Sequence, residues 1–292
     1  MNSFTIRDLE KLSGIKAHTI RVWEMRYSFL KPRRTDTNIR VYSNQELKTI
    51  LDVALLNKYG YKISHINRMD GAEICNRLSG LSQLEAQRDV AVNRLIHLMV
   101  DSNIDLFEDA INRHIAEKGI EKTIAQLIFP FLEKIGLLWL TGQTNPAQSY
   151  LISNIIRQKL ILGIESAING TMPVSKTFIL FLPEGHYHEL GILYLHYLLK
   201  GRGIKTLYLG ANVPVKDLEY VVSLKSPDYI YTHLTTHNHF NLDRFLQKLH
   251  TAVPDVPVLV SGHLVENYKK EPPPNIGFKK SLNEVVDFLS TI

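Results

Sequence analysis

The 292-residue sequence predicts a multidomain fold: a winged helix-turn-helix unit at residues 1–72, a four-helix bundle at 82–168 and a parallel α/β sheet at 176–292. Three observations lead to this prediction. Two short amphipathic segments separated by Gly14 open the chain, apolar repeats with helical spacing fill its middle, and strand-like apolar runs alternate with helices after residue 176. A chain of this length can bury a separate core in each unit.

Positive charge is concentrated at the amino-terminal end. Residues 1–72 carry 13 Lys and Arg against 7 Asp and Glu, whereas residues 73–292 carry 21 against 22. The net charge of +5 therefore comes from the first quarter of the chain. A basic unit attached to a nearly neutral body is typical of a protein that binds nucleic acid through that unit.

Several other protein classes are disfavoured by the composition. The single cysteine, Cys75, excludes a disulfide framework and a thiolate zinc site, and it favours a cytoplasmic protein. No apolar run reaches the length of a signal peptide or a membrane span, so we expect no membrane partner. The sequence contains no nucleophile–base–acid set, no glycine-rich phosphate loop and no H-E-x-x-H motif, so we do not expect an enzyme.

The first unit carries the signals of a helix-turn-helix followed by a β wing. A capping-box-like start at residues 5–8 opens the first helix, and Gly14 ends it. A second short helix is predicted at about residues 16–25. Residues 30–42 are basic and rich in turn formers, which predicts a two-stranded wing. A full S-x-x-E capping box at residues 43–46 then opens the next helix.

The same segment resembles the MerR family of transcription regulators over about 65 residues, through FTIRDLEKLSGIKAHTIRVWEMRYSFLKPRRTDTNIRVYSNQELKTILDVALLNKYGYKISHI. In that family the second helix enters the major groove and the wing contacts the DNA backbone. The resemblance implies that DNA is bound by Lys16, His18, Thr19, Arg21, Arg33, Arg34, Arg40 and Tyr42. Arginines in the wing would neutralise phosphates, and the start of the second helix would reach base edges. The alternatives are a solvated basic surface and an Arg21 that buttresses the fold.

Residues 82–168 contain four apolar repeats with helical spacing. Short connections make neighbouring helices antiparallel, so a four-helix bundle is predicted. The polar segment 70–83 is the predicted boundary before this bundle. Asn145 and Pro146 are predicted to begin its fourth helix, because asparagine caps helices and proline suits their first turn.

The last unit alternates strands with helices. Strand cores are predicted at residues 178–182, 206–209, 229–231 and 258–260, with a weaker one at about 276–278. Helices are predicted at about 189–200, 215–224, 242–252 and 282–289. This order predicts a parallel sheet covered on both faces, flavodoxin-like in size, whose ligand-binding loops lie at the carboxyl ends of the strands.

The bundle followed by this sheet resembles the cobalamin-binding module of B12-dependent methionine synthase and of light-responsive MerR regulators. The family signature D/E-x-H-x-x-G, S/T-x-L and G-G is matched in part by HELG at residues 188–191, THL at 232–234 and SG at 261–262. The resemblance implies His188 as the axial cobalt ligand, with Thr232 against the buried nucleotide tail and Gly262 allowing its passage. The implied cofactor-binding residues are Trp139, His188, Gly191, Thr232, Leu234, Ser261 and Gly262.

Three departures from that signature bear on the cofactor. His186 stands where the family has a carboxylate that orients the axial histidine, and Ser261 replaces a glycine. Trp139 matches the light-responsive branch, but Ser149-Tyr150 replaces its Glu-His pair. We therefore do not expect that type of light response. Cobalamin and no cofactor both stay open.

A second kind of site is also open. Six histidines follow predicted strand ends and would share one edge of the sheet: His186, His188, His233, His237, His239 and His263. Imidazole groups at one edge could bind a transition metal or an anion.

The predicted function is a regulator that binds double-stranded operator DNA and assembles with itself as a dimer or tetramer. Its cobalamin-binding-type body would sense a ligand or drive assembly. One alternative is a ligand-free regulator whose body is an oligomerisation or protein-interaction platform. Another is an enzyme or corrinoid carrier fused to a DNA-binding head, and the MerR-like segment argues against it.

Overall fold

The computed structural model describes residues 3–140, 145–167, 175–235, 240–266 and 268–292. The chain folds into two compact units, Met1–Ile155 and Ile156–Ile292. The predicted helix-turn-helix and most of the predicted bundle lie in the first unit, and the whole predicted sheet lies in the second.

The first unit begins with the predicted helix-turn-helix and wing. Its elements are α1 (Ile6–Ser13), α2 (Ala17–Arg26), β1 (Arg33–Arg34), β2 (Arg40–Val41), α3 (Asn44–Lys58), α4 (Ile63–Ile66) and α5 (Gly71–Ser79). Capping boxes at Thr5 and Ser43 are present and begin α1 and α3 as predicted. Antiparallel pairing of β1 with β2 confirms the wing. Helix α5 occupies the segment that was predicted as a boundary.

Four helical stretches follow, as predicted. They are α6 (Leu84–Val100), α7 (Ile104–Lys118), a third stretch and α10 (Pro146–Ser166). The third stretch runs from α8 (Ile120–Thr123) through a π-helical segment (Ile124–Ile128) into α9 (Phe129–Leu140). Pro130 has no N–H to donate to the preceding turn, and the wider π-helical turn lies directly before it. The Asn145 side chain accepts a 2.9 Å hydrogen bond from the Ala147 N–H, which confirms the predicted start of α10.

Polar contacts join α3 to α6 within the first unit. The Asn44 side chain donates to the Val100 carbonyl at 2.8 Å, and Lys48 Nζ lies 2.8 Å from Asp101 Oδ2. Lys58 Nζ forms a further ion pair with Asp89 at 2.8 Å. The helix that follows the wing is therefore held against the bundle by side chains from both ends.

The second unit is a five-stranded parallel sheet with helices on both faces. Its elements are β3 (Thr177–Pro183), α11 (Leu190–Gly201), β4 (Lys205–Val213), α12 (Val215–Lys225), β5 (Tyr229–His233), α13 (Leu242–Ala252), β6 (Val258–Ser261), α14 (His263–Glu266), β7 (Ile276–Lys279) and α15 (Leu282–Leu289). The strand order is β4-β3-β5-β6-β7. All of the predicted strands are confirmed, including the weak fifth, and α14 is an addition.

Two apolar layers cover this sheet. Ile230 and Leu234 lie in the layer that includes residues of α12 and α13. Tyr231 and Leu259 lie in the opposite layer, which includes residues of α11 and α15. Because side chains alternate along a strand, each position at the end of β5 faces one helix pair or the other.

Candidate functional sites

The second helix of the first unit presents two different sides. Ile20 and Trp23 are buried on one side of α2, which fixes the helix against the rest of the unit. Lys16, His18 and Arg21 are exposed, and the Lys16 side chain is 85% exposed. Thr19 is half-buried. The exposed positions are therefore available to DNA, and the exposure of Arg21 does not favour a buttressing role.

Glu24 ties this helix to the wing. Arg40 Nε donates to Glu24 Oε2 at 2.8 Å, and the Tyr42 hydroxyl bonds to Glu24 Oε1. The Arg40 side chain is 30% exposed, and burial together with the Glu24 carboxylate raises the pKa of Tyr42. Tyr42 is fully buried, which corrects its predicted contact with DNA. Arg40 and Tyr42 both link the wing to α2 through Glu24, and DNA contact by the partly exposed Arg40 stays a prediction.

The tip of the wing is exposed and basic. Arg33 and Arg34 form β1, and both side chains are exposed. The Arg34 guanidinium donates to the Asn38 side chain at 2.5 Å, and Asn38 closes the turn with φ of 62°. Asparagine tolerates this left-handed conformation better than most residues do. Two guanidinium groups are thus presented beside α2, where they can contact phosphates.

The loop after β3 places two histidines differently. His186 is buried, with its ring centre 4.4 Å from that of Phe240, whereas His188 is exposed. The Glu189 carboxylate accepts from Arg157 Nε at 3.1 Å and from the Tyr208 hydroxyl. His188 is accessible as a ligand, and the carboxylate next to it in the chain is already engaged by other side chains.

A compact polar cluster lies at the carboxyl ends of β5 and β6. His233 Nδ1 lies 2.8 Å from Ser261 Oγ, and the Tyr231 hydroxyl also bonds to Ser261 Oγ. A Cβ added to Gly191, at the start of α11, would lie 2.6 to 2.9 Å from three atoms of the His233 ring. Burial lowers the pKa of His233 to about 4 and raises that of Tyr231. The cluster is therefore uncharged near neutral pH.

Thr232 lies apart from this cluster. Side chains alternate between the two faces of the sheet along β5. Thr232 therefore lies on the face of Ile230, and Tyr231 and His233 lie on the opposite face. Thr232 is fully buried, and the described residues supply no hydrogen-bond partner for its hydroxyl. The structure thus brings Gly191 and Ser261 together with His233, and Thr232 does not join them.

Gly262 and Leu234 meet through their main chains. A Cβ added to Gly262 would lie 2.3 Å from the Leu234 carbonyl oxygen, and Gly262 has φ of 98°. The Leu234 N–H donates to the Ser261 carbonyl at 2.7 Å, and the Leu234 side chain is buried. The close approach of two protein segments is by itself sufficient to require a glycine at this position.

Comparisons with known proteins match both of the regions that carry these residues. Residues 4–72 match the MerR HTH family regulatory protein profile, and residues 91–162 and 177–273 each match a B12 binding domain. The chain is a MerR-family transcriptional regulator with B12-binding domains. Regulators of this family bind DNA through their helix-turn-helix.

Two curated relatives of this MerR regulator come from Myxococcus xanthus. The HTH-type transcriptional repressor CarH is 26% identical over 278 residues, which cover 91% of each chain. The HTH-type transcriptional repressor CarA is 26% identical over 77% of this chain and 74% of its own. The monomethylamine corrinoid protein of Methanosarcina barkeri has 13% identity and a TM-score of 0.54, and it covers 68% of this chain and 97% of its own. That likeness shows a shared fold.

The residues of this MerR regulator fit a cobalamin only in part. An exposed His188 suits an axial ligand to cobalt. The resemblance implies that the nucleotide tail enters beside Gly191 and the Ser261-Gly262 pair, and there the His233 ring occupies the room that Gly191 leaves. The site therefore does not fit a cobalamin whose tail enters the sheet.

The histidine-rich edge is confirmed only as a location. His186, His188 and His263 follow the carboxyl ends of parallel strands, and His233 is the last residue of β5. His237 and His239 lie outside the described residues. His263 Nδ1 lies 2.9 Å from Glu266 Oε2. Within the described residues, no three histidine, cysteine or acidic side chains converge to hold a metal ion. The four described histidines therefore do not form the predicted metal site.

Two further observations complete the description of this regulator. Trp139 lies in α9, and nothing beyond that backbone position bears on its predicted role above a cofactor. No helix in the described ranges is long and apolar enough to cross a membrane.

Two features escaped the sequence-based predictions. Glu24 lies in α2, four residues after Ile20, and its role becomes visible only through its contact with Arg40 in the wing. His233 was considered only as one of six edge histidines. Strict alternation in β5 would have placed it, rather than Thr232, on the face that Tyr231 shares.

Proposed function

We propose that this protein binds two-fold-symmetric double-stranded DNA through α2 and the wing of two copies, and that its B12-binding-type body brings the copies together. The Glu24 link carries the proposal, because it holds the exposed side of α2 next to the basic wing. A helix in the major groove with a flanking wing needs such a fixed geometry.

The charged side chains divide into two roles under this proposal. Lys16, His18 and Arg21 reach base edges or nearby phosphates from α2, with Thr19 beside them. Arg33 and Arg34 neutralise phosphates from the wing. Arg40 and Tyr42 position these groups through Glu24. The recognition helix thereby determines sequence preference, while the wing mainly determines affinity.

The body is proposed to act in self-assembly, as a dimer or tetramer, and not in catalysis. Both Myxococcus xanthus relatives are named as repressors, so repression by operator occupancy in the cytoplasm is the corresponding expectation. Linking two DNA-binding heads raises their effective concentration at paired half-sites. Assembly through the body would therefore control operator affinity.

Selection of duplexes from a randomised library by the full-length protein tests this proposal. We expect the selected sequences to contain an inverted repeat, and analytical ultracentrifugation to show an even number of chains per duplex. Replacing both Lys16 and His18 with alanine should change the selected bases. A matched variant with Arg244→Ala and Lys248→Ala, two exposed basic residues on α13, should select the same bases. One chain per duplex, or equal affinity for selected and random DNA, would contradict the proposal.

A further inference from the structure

The space beside Gly191 is occupied by side chains of the protein itself. We define the tail slot as the space between the start of α11 and the carboxyl ends of β5 and β6, bounded by Gly191 and Ser261. Through the resemblance, this is where a nucleotide tail would enter. In the structure, the slot holds the imidazole ring of His233 and the hydroxyl of Tyr231.

Sterics show how closely the ring fills the slot. A Cβ on Gly191 would lie 2.6 Å from Cδ2, 2.7 Å from Nε2 and 2.9 Å from Cγ of His233. Ordinary carbon–carbon contacts are about 3.5 to 4.0 Å, so even one methyl group cannot be added without displacing the ring. A ring-sized ligand group would have to displace His233 entirely.

Hydrogen bonding holds the ring in this place. Ser261 Oγ lies 2.8 Å from His233 Nδ1 and also bonds to the Tyr231 hydroxyl. A consistent arrangement has Tyr231 donating to Ser261 and Ser261 donating to a neutral His233. The lowered pKa of His233 keeps the imidazole neutral at pH 7, so its Nδ1 can accept. The replacement of a motif glycine by Ser261 therefore supplies the group that holds the ring.

Main-chain contacts also leave no open space next to the tail slot. The Leu264 N–H donates to the Leu234 carbonyl at 3.3 Å, and this same carbonyl lies against Gly262. The loop after β5 is thus joined to the start of α14 without any bridging group. Widening the slot would break these contacts.

We infer that Tyr231, His233 and Ser261 form an internal plug that takes the place of a cobalamin tail, so that the B12-binding-type sheet is complete without the cofactor. The fold of a cofactor-binding module is then retained as a rigid part of the regulator. This inference concerns the second unit alone and does not depend on the proposed DNA contacts.

A double-mutant cycle between Gly191 and His233 tests the plug directly. Gly191→Ala should lower the urea midpoint of the full-length protein, because its new methyl group meets the His233 ring. In a His233→Ala background the same change should have little effect, because the obstacle is gone. Gly201→Ala is the matched control, since it lies on the same helix with no atom near its added Cβ. Equal effects of Gly191→Ala in both backgrounds would overturn the inference.

Equilibrium dialysis against hydroxocobalamin in the dark tests the consequence for the cofactor. At about 10 μM cobalamin, the wild-type protein should hold fewer than about 0.1 molecules per chain, equivalent to a Kd above about 100 μM. His233→Ser, which opens the slot, should bind at least about tenfold more tightly, a change of about 1.4 kcal/mol. His263→Ser, a loss of another edge histidine, should behave as the wild type does.

Two results would reject the plug, and a third measurement covers a variant that fails to fold. Binding of one cobalamin per wild-type chain would reject it, as would a folded His233→Ser variant that binds no better than wild type. If His233→Ser does not fold, hydrogen exchange on the wild-type protein decides the matter. Slow exchange of the amides at Leu234 and Leu264 without cofactor supports the plug, and fast exchange contradicts it.

Discussion

The DNA-binding face and the carboxyl edge of the sheet use polar side chains in opposite ways. On α2 and the wing, Lys16, Arg33 and Arg34 are exposed, and Glu24, whose side chain is 9% exposed, holds Arg40 and Tyr42 in place. At the sheet edge, Tyr231, His233 and Ser261 turn inward and satisfy one another. The first arrangement leaves charges free for a partner, whereas the three side chains of the second are uncharged near neutral pH and bond to one another.

This difference shows that resemblance to a binding domain does not by itself imply an open binding site. Both regions match family profiles, over residues 4–72 and 177–273. In the first region the matched positions present accessible groups of the type that the function requires, and in the second the exposed His188 does so as well. In the second, substitutions at a few positions are enough to fill the space that a ligand would need.

The largest expected effect concerns the closed sheet edge. Gly262→Ala should lower the free energy of unfolding by about 3 kcal/mol or more, because it adds backbone strain and a clash with the Leu234 carbonyl. Gly210→Ala is the control: it has φ of 86° but open space around its added Cβ, so about 1 kcal/mol is expected. Urea unfolding measures both. Equal losses would mean that the edge is not closed against Gly262.

The next largest effect is a pH dependence at the same edge. The pKa of His233 in the folded protein, about 4, lies below its ordinary value of 6.5. Above pH 6.5 the imidazole is neutral in both the folded and the unfolded state, so the folded protein keeps its full stability. As the pH falls from 6.5 towards 4, the unfolded state binds the proton first, and up to about 3 kcal/mol of stability is lost. Urea unfolding of wild type and His233→Gln at pH 7.5 and pH 4.5 isolates this contribution. An identical loss of stability at acid pH in the two proteins would contradict a lowered pKa for His233.

The corresponding test at the DNA-binding face breaks its internal support. Glu24→Gln should cost about 2 kcal/mol of stability, because Arg40 loses its carboxylate partner and Tyr42 loses a charged acceptor. DNA affinity should fall as well, since the wing is no longer fixed to α2. Glu10→Gln is the control, because its 3.8 Å contact with exposed Lys16 should contribute less than about 0.5 kcal/mol. A stable Glu24→Gln variant with full affinity would show that the link is dispensable.

The smallest expected effect concerns the exposed wing. Replacing both Arg33 and Arg34 with alanine should reduce the slope of log affinity against log salt by about 2, one for each phosphate contact. Affinity at about 0.1 M salt should fall roughly tenfold, with little change in base preference. Fluorescence anisotropy with a selected duplex measures both quantities. The Arg244→Ala, Lys248→Ala variant should leave the slope unchanged. A smaller slope in that variant would mean that the salt dependence reports the total charge of the protein and not contacts of the wing.

Helices, strands and helix caps could be predicted from the sequence because they depend on residues that are close together in the chain. The capping boxes at Thr5 and Ser43 form as their spacing predicts, and strand alternation with helices correctly indicates the parallel sheet. Side-chain roles were less predictable. Tyr42 lies in a basic segment and is nevertheless buried, because Phe4 pairs with it and Glu24 accepts its hydroxyl.

The sequence by itself determined the order of the units, the basic character of the first and the histidine-rich edge of the last, since composition, periodicity and motif spacing are local properties. Only the tertiary structure decided which side of β5 faces α11, and hence that His233 rather than Thr232 lies beside Gly191. A one-residue difference along a strand reverses the face of a side chain. Whether a slot is open or filled therefore depends on contacts between segments about 30 to 70 residues apart, which no local pattern specifies.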